Sequence, residues 1–457
     1  MQRAVWILVV FIEGFASLGI EVIALRRLVP FVGSSITVTA PTIALFLLAL
    51  AAGYWTGGQV KSGFERRVLR NFLIASLLAG IVLSSAFVQA LFSAVADPQV
   101  AYLLFMALVV CPPAWLLAQT VPLLTNVMPH DRVGAASGTV LTASTAGSVV
   151  GASSLALVVM QRLGVSAAVL ICSASLALAV AVAARREHRL KGTLLAGLLL
   201  LVVSAVNLMP GLNASETAYA DYRVIENPPL DVASVDAASS RQFLVNNQRA
   251  SRLGSGKPPE RAAYIERIQH VLLGDLGLRG KSILVLGAGG FTLTGTDTFN
   301  YYTYVDIDPR IRAVAEREFL HAPIKGSFVA DDARRFVAQT QRRFDSIVVD
   351  VYSSHASVPA HLVTLEFWRS LRRPLAPGGA VLVNLILDGA LQSAYARNLL
   401  STIELALGRC AIDVIAPLAA ASNVVLTCRP ASQRPETPAI YTDELNRVEL
   451  DRGILGR

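Results

Sequence analysis

The sequence predicts a multi-pass α-helical membrane domain, followed by a small β-domain and an α/β domain with a parallel sheet. Its 457 residues are 54% hydrophobic and 16% charged, whereas soluble chains usually carry about 25% charged residues. Long apolar runs fill residues 1–209. From about Ser282, short apolar runs alternate with amphipathic segments, which indicates alternating strands and helices in a sheet covered on both faces.

Apolar runs of about 20 residues, enough to cross a bilayer, recur along residues 1–209. Because lipid offers no partners to backbone groups, we expect each run to be a helix. Seven spans are predicted, at Ala4–Leu25, Ile36–Trp55, Leu69–Val95, Val100–Leu124, Ser137–Met160, Val165–Ala184 and Thr193–Met209. We therefore expect a multi-pass protein of the cell (inner) membrane, with the lipid bilayer as a partner.

Three features inside the spans carry further expectations. The fourth span contains three prolines and should be kinked or broken. Gly147 and Gly151 in the fifth span have the small-xxx-small spacing that allows close helix packing. Glu13 lies deep in the first span, where an ionisable group should face the bundle interior.

The net charge of +8 and the isoelectric point near 9.5 do not indicate nucleic-acid binding. The basic residues lie largely in short loops between spans, as membrane topology requires, and no nucleic-acid motif is present. Seven spans with the basic loops inside would place the C-terminal part outside the cell. The cytosolic supply of nucleotide cofactors argues for the opposite side, so the sequence leaves the side open.

Residues 210–280 are expected to form the small β-domain and a linking helix. The segments YRVIEN and RQFLVNN alternate polar and apolar residues, as short antiparallel strands do. The following ERAAYIERIQHVLLGDL has Tyr264, Ile268 and Val271 at helical spacing.

Residues 281–430 are expected to form the α/β domain, and residues 431–457 a C-terminal tail. Helices are expected at Arg310–Phe319 and Leu365–Leu375. Parallel strands are predicted at Ser282–Leu286, Tyr302–Asp306, Ser327–Ala330, Ser346–Asp350 and Ala380–Leu385.

A hairpin of Ala411–Val414 and Asn423–Thr427 would bring Cys410 opposite Cys428. The two cysteines would form a disulfide in an oxidising compartment or remain a reduced pair. The four cysteines of the chain form no CxxC pair, so no metal site is predicted.

Four strand ends carry a glycine turn or an acid. The turn Gly287–Gly290 follows the first strand of the α/β domain, where backbone can approach a ligand. Asp306 ends the second strand and can accept both ribose hydroxyls. Asp332 follows the third strand, in reach of an adenine amino group, although it could also cap a helix. Asp350 ends the fourth strand, facing the reacting centre.

These pieces resemble the spermidine synthase (polyamine aminopropyltransferase) family, and the whole chain is similar to its membrane-fused branch. The matching segments include ETAYADYRVIE, LVNNQRAS, ILVLGAGGFTL, YVDIDPRIRAVAEREF, VADDARRFV and FDSIVVDVYS. The resemblance implies a small β-domain before a Rossmann-like, methyltransferase-type core, and a homodimer. It also implies transfer of an aminopropyl group from decarboxylated S-adenosylmethionine to a small-molecule amine, releasing methylthioadenosine.

The resemblance also implies roles for individual residues. The attacking amine must be unprotonated, and a buried carboxylate can orient it and accept its proton. The implied catalytic residues are Asp350 and Tyr264, and the implied cofactor-binding residues are Gly287, Gly289, Asp306 and Asp332.

The chain departs from the family at the acceptor side. Ser353 stands where the family has a second acid, and Pro259 replaces an acid of the amine site. Ala220 stands where a glutamine is expected, and Phe291 or a neighbour replaces an aspartate of the glycine-rich loop. His355 could supply a replacement polar group, although a histidine at such a position is more often simply a surface-loop residue.

Three functions therefore stay open. The first is aminopropyl transfer. The second is a methyltransferase, or a lyase that releases methylthioadenosine, acting on intact S-adenosylmethionine in the same pocket. The third is a membrane transporter or sensor whose C-terminal domain binds a nucleoside without catalysis. A pure sensor has no need of an acid at the position of Asp350.

Overall fold

The chain forms two compact units, Met1–Ala218 and Tyr219–Arg457. The structure is a computed structural model. It describes residues 2–33, 36–95, 97–126, 133–184, 189–208, 215–227, 240–246, 248–254, 256, 259–352, 358–417, 419, 421–430, 441–446, 448 and 451.

The described part of the first unit is helical apart from a short terminal strand, β1 (Ser215–Glu216). Two π-helical turns, Met106–Val110 and Leu155–Val159, interrupt the longer helices. The helices are α1 (Gln2–Val32), α2 (Ile36–Gly58), α3 (Phe64–Val82), α4 (Ser85–Ala94), α5 (Pro98–Phe105), α6 (Cys111–Ala118), α7 (Thr120–Thr125), α8 (Val133–Ser154), α9 (Met160–Leu163), α10 (Val165–Ala183) and α11 (Arg189–Leu208).

Within the described residues, five helical stretches are long and apolar enough to cross a membrane, and a sixth if α3 and α4 count as one. The predicted third span is thus not continuous, because α3 and α4 are bent by 65° at their junction. Ser84 begins α4 there and accepts a hydrogen bond from the Phe87 N–H. The seventh predicted run forms the shorter apolar helix Gly192–Leu208.

The predicted fourth span is interrupted as its prolines require. The π-helical turn Met106–Val110 ends two residues before Pro112, which has no N–H to donate to the preceding turn. The irregularity of this span is therefore confirmed.

Helices α1 and α8 pack backbone to backbone. A Cβ at Gly147 would lie 1.9 Å from the carbonyl oxygen of Phe11, and one at Gly151 would lie 2.3 Å from that of Phe15. Because only glycine fits at such a contact, the packing role predicted for both glycines is confirmed. Glu13 is buried, as predicted, and accepts a hydrogen bond of 2.7 Å from the Ser144 hydroxyl.

The second unit begins with antiparallel strands, in agreement with the predicted β-region. The strands are β2 (Asp221–Asn227), β3 (Ser240–Val245) and β4 (Gln248–Gly254). The linking helix α12 (Ala263–His270) follows and continues into the π-helical turn Val271–Asp275.

A seven-stranded sheet, counted over the described residues, forms the rest of the second unit. Its order is β10-β11-β9-β8-β5-β6-β7, with β5 to β9 parallel and the last two strands antiparallel. The strands are β5 (Ser282–Leu286), β6 (Tyr301–Asp306), β7 (Ser327–Ala330), β8 (Phe344–Val349), β9 (Leu375–Leu387), β10 (Cys410–Val414) and β11 (Ser422–Cys428). The helices are α13 (Ile311–Val314) with the π-helical turn Ala315–Leu320, α14 (Ala333–Gln339), α15 (Leu365–Ser370) and α16 (Ala394–Leu407), with a 3₁₀ turn at Ala360–Leu362.

Strands β5 and β8 lie at the centre of this sheet, and their apolar runs are buried on both faces. Ile283 and Val348 pack on one side, whereas Leu284 and Ile347 pack on the other. Burial on both faces explains why these strands have continuous apolar runs rather than an alternating pattern.

The hairpin of β10 and β11 forms an edge of the sheet with the predicted register. Cys410 faces Cys428, and the two form a disulfide. Of the two states that the sequence allowed, the structure therefore contains the oxidised one. The other two cysteines, Cys111 and Cys172, are free thiols.

Candidate functional site

The carboxyl ends of β5, β6, β7 and β8 bring the predicted site residues to one edge of the sheet. Hydrogen bonds between neighbouring strand ends continue the ladder into this edge. The Asp350 N–H donates to Leu286, and the Asp331 N–H donates to Asp306, at 2.8 and 2.9 Å. Residues far apart in the chain thus lie along one edge of the sheet, the edge where open α/β sheets bind ligands.

The glycine turn after β5 requires glycine because of backbone angle and space. Gly287 has φ of +90°, and a Cβ there would lie 2.1 Å from the carbonyl oxygen of Asp350. Gly289 has φ of +50°, and the Gly290 N–H donates to the Ser251 hydroxyl at 2.9 Å. The turn is therefore fixed from two sides, and its backbone can approach a ligand without side chains in between.

Asp306 is oriented by two backbone donors. The Ala288 N–H donates to its Oδ2 and the Asp308 N–H to its Oδ1, each at 3.0 Å. Burial raises the pKa of Asp306 to about 6, although these donors act in the opposite direction. Each carboxylate oxygen retains acceptor capacity, which the predicted contact with two ribose hydroxyls would use.

Asp332 serves as the cap of α14. Its Oδ1 accepts a hydrogen bond of 2.9 Å from the Arg335 N–H, and its Oδ2 lies 3.2 Å from Nε2 of His361. The capping role that the sequence allowed is thus present. Contact with an adenine amino group would engage the Oδ2 side, beside His361.

Asp350 is held between two side chains. Its Oδ1 accepts a hydrogen bond of 2.7 Å from the Asn384 amide, and its Oδ2 lies 3.2 Å from the Tyr264 hydroxyl. Tyr264 also lies 3.1 Å from the carbonyl oxygen of Ala250, so its hydroxyl can donate to either group. The two predicted catalytic residues are therefore in direct contact.

Burial controls the ionisation of this pair. It raises the pKa of Asp350 to about 6, while the hydrogen bonds from Asn384 and Tyr264 act in the opposite direction. Burial and the neighbouring carboxylate together raise the pKa of Tyr264 well above its usual value. Asp350 is thus an unusually basic carboxylate beside a neutral phenol at physiological pH.

Two asparagines complete the site, and neither was predicted. Asn384 of β9 donates to Asp350, and its own Oδ1 accepts a hydrogen bond of 3.0 Å from the Asn423 amide of β11. The Tyr352 hydroxyl donates to the backbone carbonyl of Asn384 at 2.7 Å. The available signal was a polar residue inside the apolar run VLVNLIL, because a buried amide in a central strand needs partners.

The residues at which the chain departs from the family lie in different surroundings. Phe291 is buried against the rings of Tyr304 and Phe328 and has φ of +57°. Ala220 is buried as well. Ser353 and His355 lie outside the described residues.

A parallel sheet with a glycine turn and acids at its carboxyl edge is the arrangement found in Rossmann-like α/β domains. Within that class the chain is similar, at modest sequence identity, to polyamine aminopropyltransferases. It is 33% identical to polyamine aminopropyltransferase 2 of Hyperthermus butylicus over 113 residues, which is 22% of this chain and 37% of that protein. It is 30% identical to the probable polyamine aminopropyl transferase of Bifidobacterium longum over 148 residues, 27% of this chain and 32% of that protein.

The chain thus spans about a third of the length of these two curated relatives. No protein-family profile matches it. Among solved structures, a probable spermidine synthase from Corynebacterium glutamicum is similar over 52% of this chain and 93% of that one, with 20% identity and a TM-score of 0.38. Spermidine synthase from Thermotoga maritima is similar over 51% and 81%, with 16% identity and a TM-score of 0.36.

Proposed function

We propose that this protein is a membrane-anchored transferase that moves an aminopropyl group from decarboxylated S-adenosylmethionine to an amine and releases methylthioadenosine. The observation that carries the proposal is that the Asp350 carboxylate, next to the glycine turn, is oriented by hydrogen bonds from Tyr264 and Asn384. A basic carboxylate at this point is what an amine nucleophile needs.

The nucleoside side of the edge fits an adenosyl co-substrate. The Gly287 turn lets backbone approach the ligand, and Asp306 has acceptor capacity for two hydroxyls in a fixed orientation. The relatives' names support the same co-substrate class, since they describe aminopropyl transfer.

The proposed transfer needs one base and neither an oxidant nor a reductant. The lone pair of the amine forms a bond to the carbon attached to the sulfonium, and the electrons of the breaking C–S bond return to sulfur. The nitrogen then loses a proton to the Asp350 carboxylate, which passes it to solvent. The sulfonium already activates the carbon, so the protein contributes mainly orientation of the nucleophile in line with the C–S bond.

The membrane anchor is supported by the first unit. Five of its described helical stretches have the length and apolar composition of membrane spans, and many of their large apolar side chains, such as Leu47 and Trp55, are exposed. We propose that these side chains face lipid, because soluble proteins rarely expose so much contiguous apolar surface.

A product assay on the detergent-solubilised full chain tests the function. It is given decarboxylated S-adenosylmethionine with and without a diamine, and methylthioadenosine and the new polyamine are measured. We expect both products, and a loss of about 10²–10⁴-fold in rate for Asp350→Asn. Asp345→Asn, at the opposite end of the same strand, is the matched control and should keep the rate. Nucleoside binding without turnover across a panel of amines would refute the transferase and favour a sensor.

A second function is favoured by the acceptor side of the sequence. Ser353 and Pro259 replace acids that would hold a cationic diamine, so a reaction of intact S-adenosylmethionine is the alternative. The same assay separates the outcomes. S-adenosylhomocysteine would indicate methyl transfer, and methylthioadenosine formed without any acceptor would indicate a lyase.

A further inference from the structure

The edge of the large sheet opposite the candidate site is rich in positive charge. The amino ends of parallel strands meet at one edge, just as their carboxyl ends meet at the other. Exposed lysines and arginines directly precede β5, β7, β8 and β9. We call this set the basic edge: Arg279, Lys281, Lys325, Arg342, Arg343, Arg372 and Arg373.

Two exposed aromatic rings lie at the same edge, where β6 begins. Phe299 is 57% exposed and Tyr301 is 70% exposed, although both are large enough to be core residues. The Arg279 guanidinium lies 4.7 Å from the centre of the Phe299 ring. The Tyr301 N–H donates to the carbonyl of Lys281, so the rings and the cations belong to one surface.

Several of these cations have backbone carbonyl groups, and not carboxylates, as their hydrogen-bond partners. Lys325 donates to Gly295, Arg343 donates to Leu375 and Arg373 donates to Ala338. Lys281 does have a carboxylate partner, Asp345, at 3.2 Å. Hydrogen bonds to carbonyls fix the side chains without neutralising them, so the edge presents net positive charge.

We propose that the basic edge docks on the anionic headgroups of a lipid bilayer. Lysine and arginine near an anionic leaflet each strengthen adsorption, and amphipathic aromatic rings prefer the headgroup level. The same chain carries helices long and apolar enough to cross such a bilayer, which favours lipid over a nucleic acid as the occupant. The docking leaves the glycine turn and Asp350, at the other edge of the sheet, directed toward the aqueous phase.

A fluorescent probe at the edge can test this in the full chain. The background is Cys111→Ser, because Cys172 is buried and the other two cysteines form the disulfide. Thr298→Cys, beside Phe299, then carries an environment-sensitive dye. The protein is reconstituted into nanodiscs of zwitterionic lipid, with or without about 30% phosphatidylglycerol.

We expect a blue shift of the dye with phosphatidylglycerol, reversed by high salt because exposed charges are screened. Replacing Lys325, Arg342, Arg343 and Arg373 by glutamine should abolish the shift, since adsorption should weaken about 10²–10³-fold. Replacing Arg312 and Arg317, exposed arginines of the same unit outside the basic edge, is the control and should leave the shift intact.

Other outcomes would overturn the proposal. These are an equal shift in zwitterionic discs, an equal loss in the control variant, or a shift produced by oligonucleotide in the absence of anionic lipid. A chain that does not enter discs would contradict the membrane anchor alone, and adsorption of the same labelled chain to vesicles then tests the basic edge. Transfer activity is measured on every sample, so failure of the proposed chemistry is seen separately.

Discussion

Asp345 and Asp350 lie at opposite ends of β8 and have opposite pKa shifts. Burial raises the pKa of Asp350 to about 6. Burial also acts to raise the pKa of Asp345, but the Ser282 N–H and the Lys281 ammonium outweigh it and hold that pKa below its usual value. Ionisation of Asp350 therefore lowers the stability of the folded state, whereas ionisation of Asp345 raises it.

The two carboxylates should therefore respond oppositely to neutralisation. At pH 8, Asp350→Asn should raise the free energy of unfolding by about 1–2 kcal/mol, after allowance for partial exposure. Asp345→Asn should lower it by roughly 1 kcal/mol. Hydrogen exchange of the β8 amides measures both.

The stability gain in Asp350→Asn should depend on pH. The stabilisation linked to the raised pKa of Asp350 is present below about pH 4 and is lost as the pH rises through about 6. The gain in Asp350→Asn should therefore vanish near pH 4. A gain that is constant from pH 4 to 8 would contradict the raised pKa.

Activity should fall on the acid side of pH 6. Protonated Asp350 cannot accept a proton from the amine, and protonated Asp306, whose pKa is also about 6, accepts one hydroxyl fewer. Calorimetry of methylthioadenosine binding at several pH values distinguishes the effects of the two carboxyl groups. In Asp350→Asn, affinity should still weaken below about pH 6, and in Asp306→Asn this dependence should disappear.

Gly287→Ala should abolish nucleoside binding, because its Cβ would overlap the Asp350 backbone. Gly378 is the matched control, since it also has positive φ, +75°, but has open space around its Cβ position. Both substitutions should cost roughly 1 kcal/mol of backbone strain. Equal binding by the two variants in an equilibrium assay would show that the close approach is not needed.

At the scale of elements, three neighbouring strands support one carboxylate. Asn423 on β11 orients Asn384 on β9, which donates to Asp350 after β8. Asn384→Ala should lower kcat about 10-fold or more and move the acid limb of the pH profile upward, since a lost donor raises a carboxyl pKa.

Asn423→Ala should shift the profile in the same direction by less. Thr427→Ala is the control on the same strand, because its hydroxyl has no hydrogen-bond partner among the described residues. Loss of kcat without any shift of the acid limb in Asn384→Ala would indicate a role in folding rather than in positioning.

Strands were easier to predict than helices in this chain. The structure has β5 and β7 at their predicted bounds, because each is a short run of strand-forming residues between turn signals. The helix expected at Leu365–Leu375 ends at Ser370, since Pro374 disfavours helical angles before it. The helix expected at Arg310–Phe319 changes to a π-helical turn at Ala315.

The strand-end acids of the site followed from the sequence pattern, but the cross-sheet contacts did not. Gly287, Asp306 and Asp350 lie at or directly after strand ends, and parallel strands bring such positions together. A role for Tyr264 in the site came only from the family resemblance, and its contact with Asp350, across 86 residues of chain, came from the structure. The asparagine contacts depend on the order β8, β9 and β11 in the sheet, which apolar periodicity does not specify.

At the scale of the whole molecule, the two units differ in their thiol chemistry. Cys111 and Cys172 of the first unit are free, whereas Cys410 and Cys428 of the second form the disulfide. Denatured protein should therefore take up two maleimide groups before reduction and four after it, as measured by mass. Four before reduction would show a reduced hairpin and remove the argument for an oxidising compartment.

The contact of Asn423 with Asn384 also has a consequence for synthesis. A chain emerges from the ribosome from its N-terminus, so Asp350 and Tyr264 are made well before Asn423. Since β11 follows β8 and β9 in the chain, a growing chain that ends before it lacks the lateral support of Asn384. The enzyme we propose would thus acquire full activity only once β11 has been made, after its apolar helices have left the ribosome.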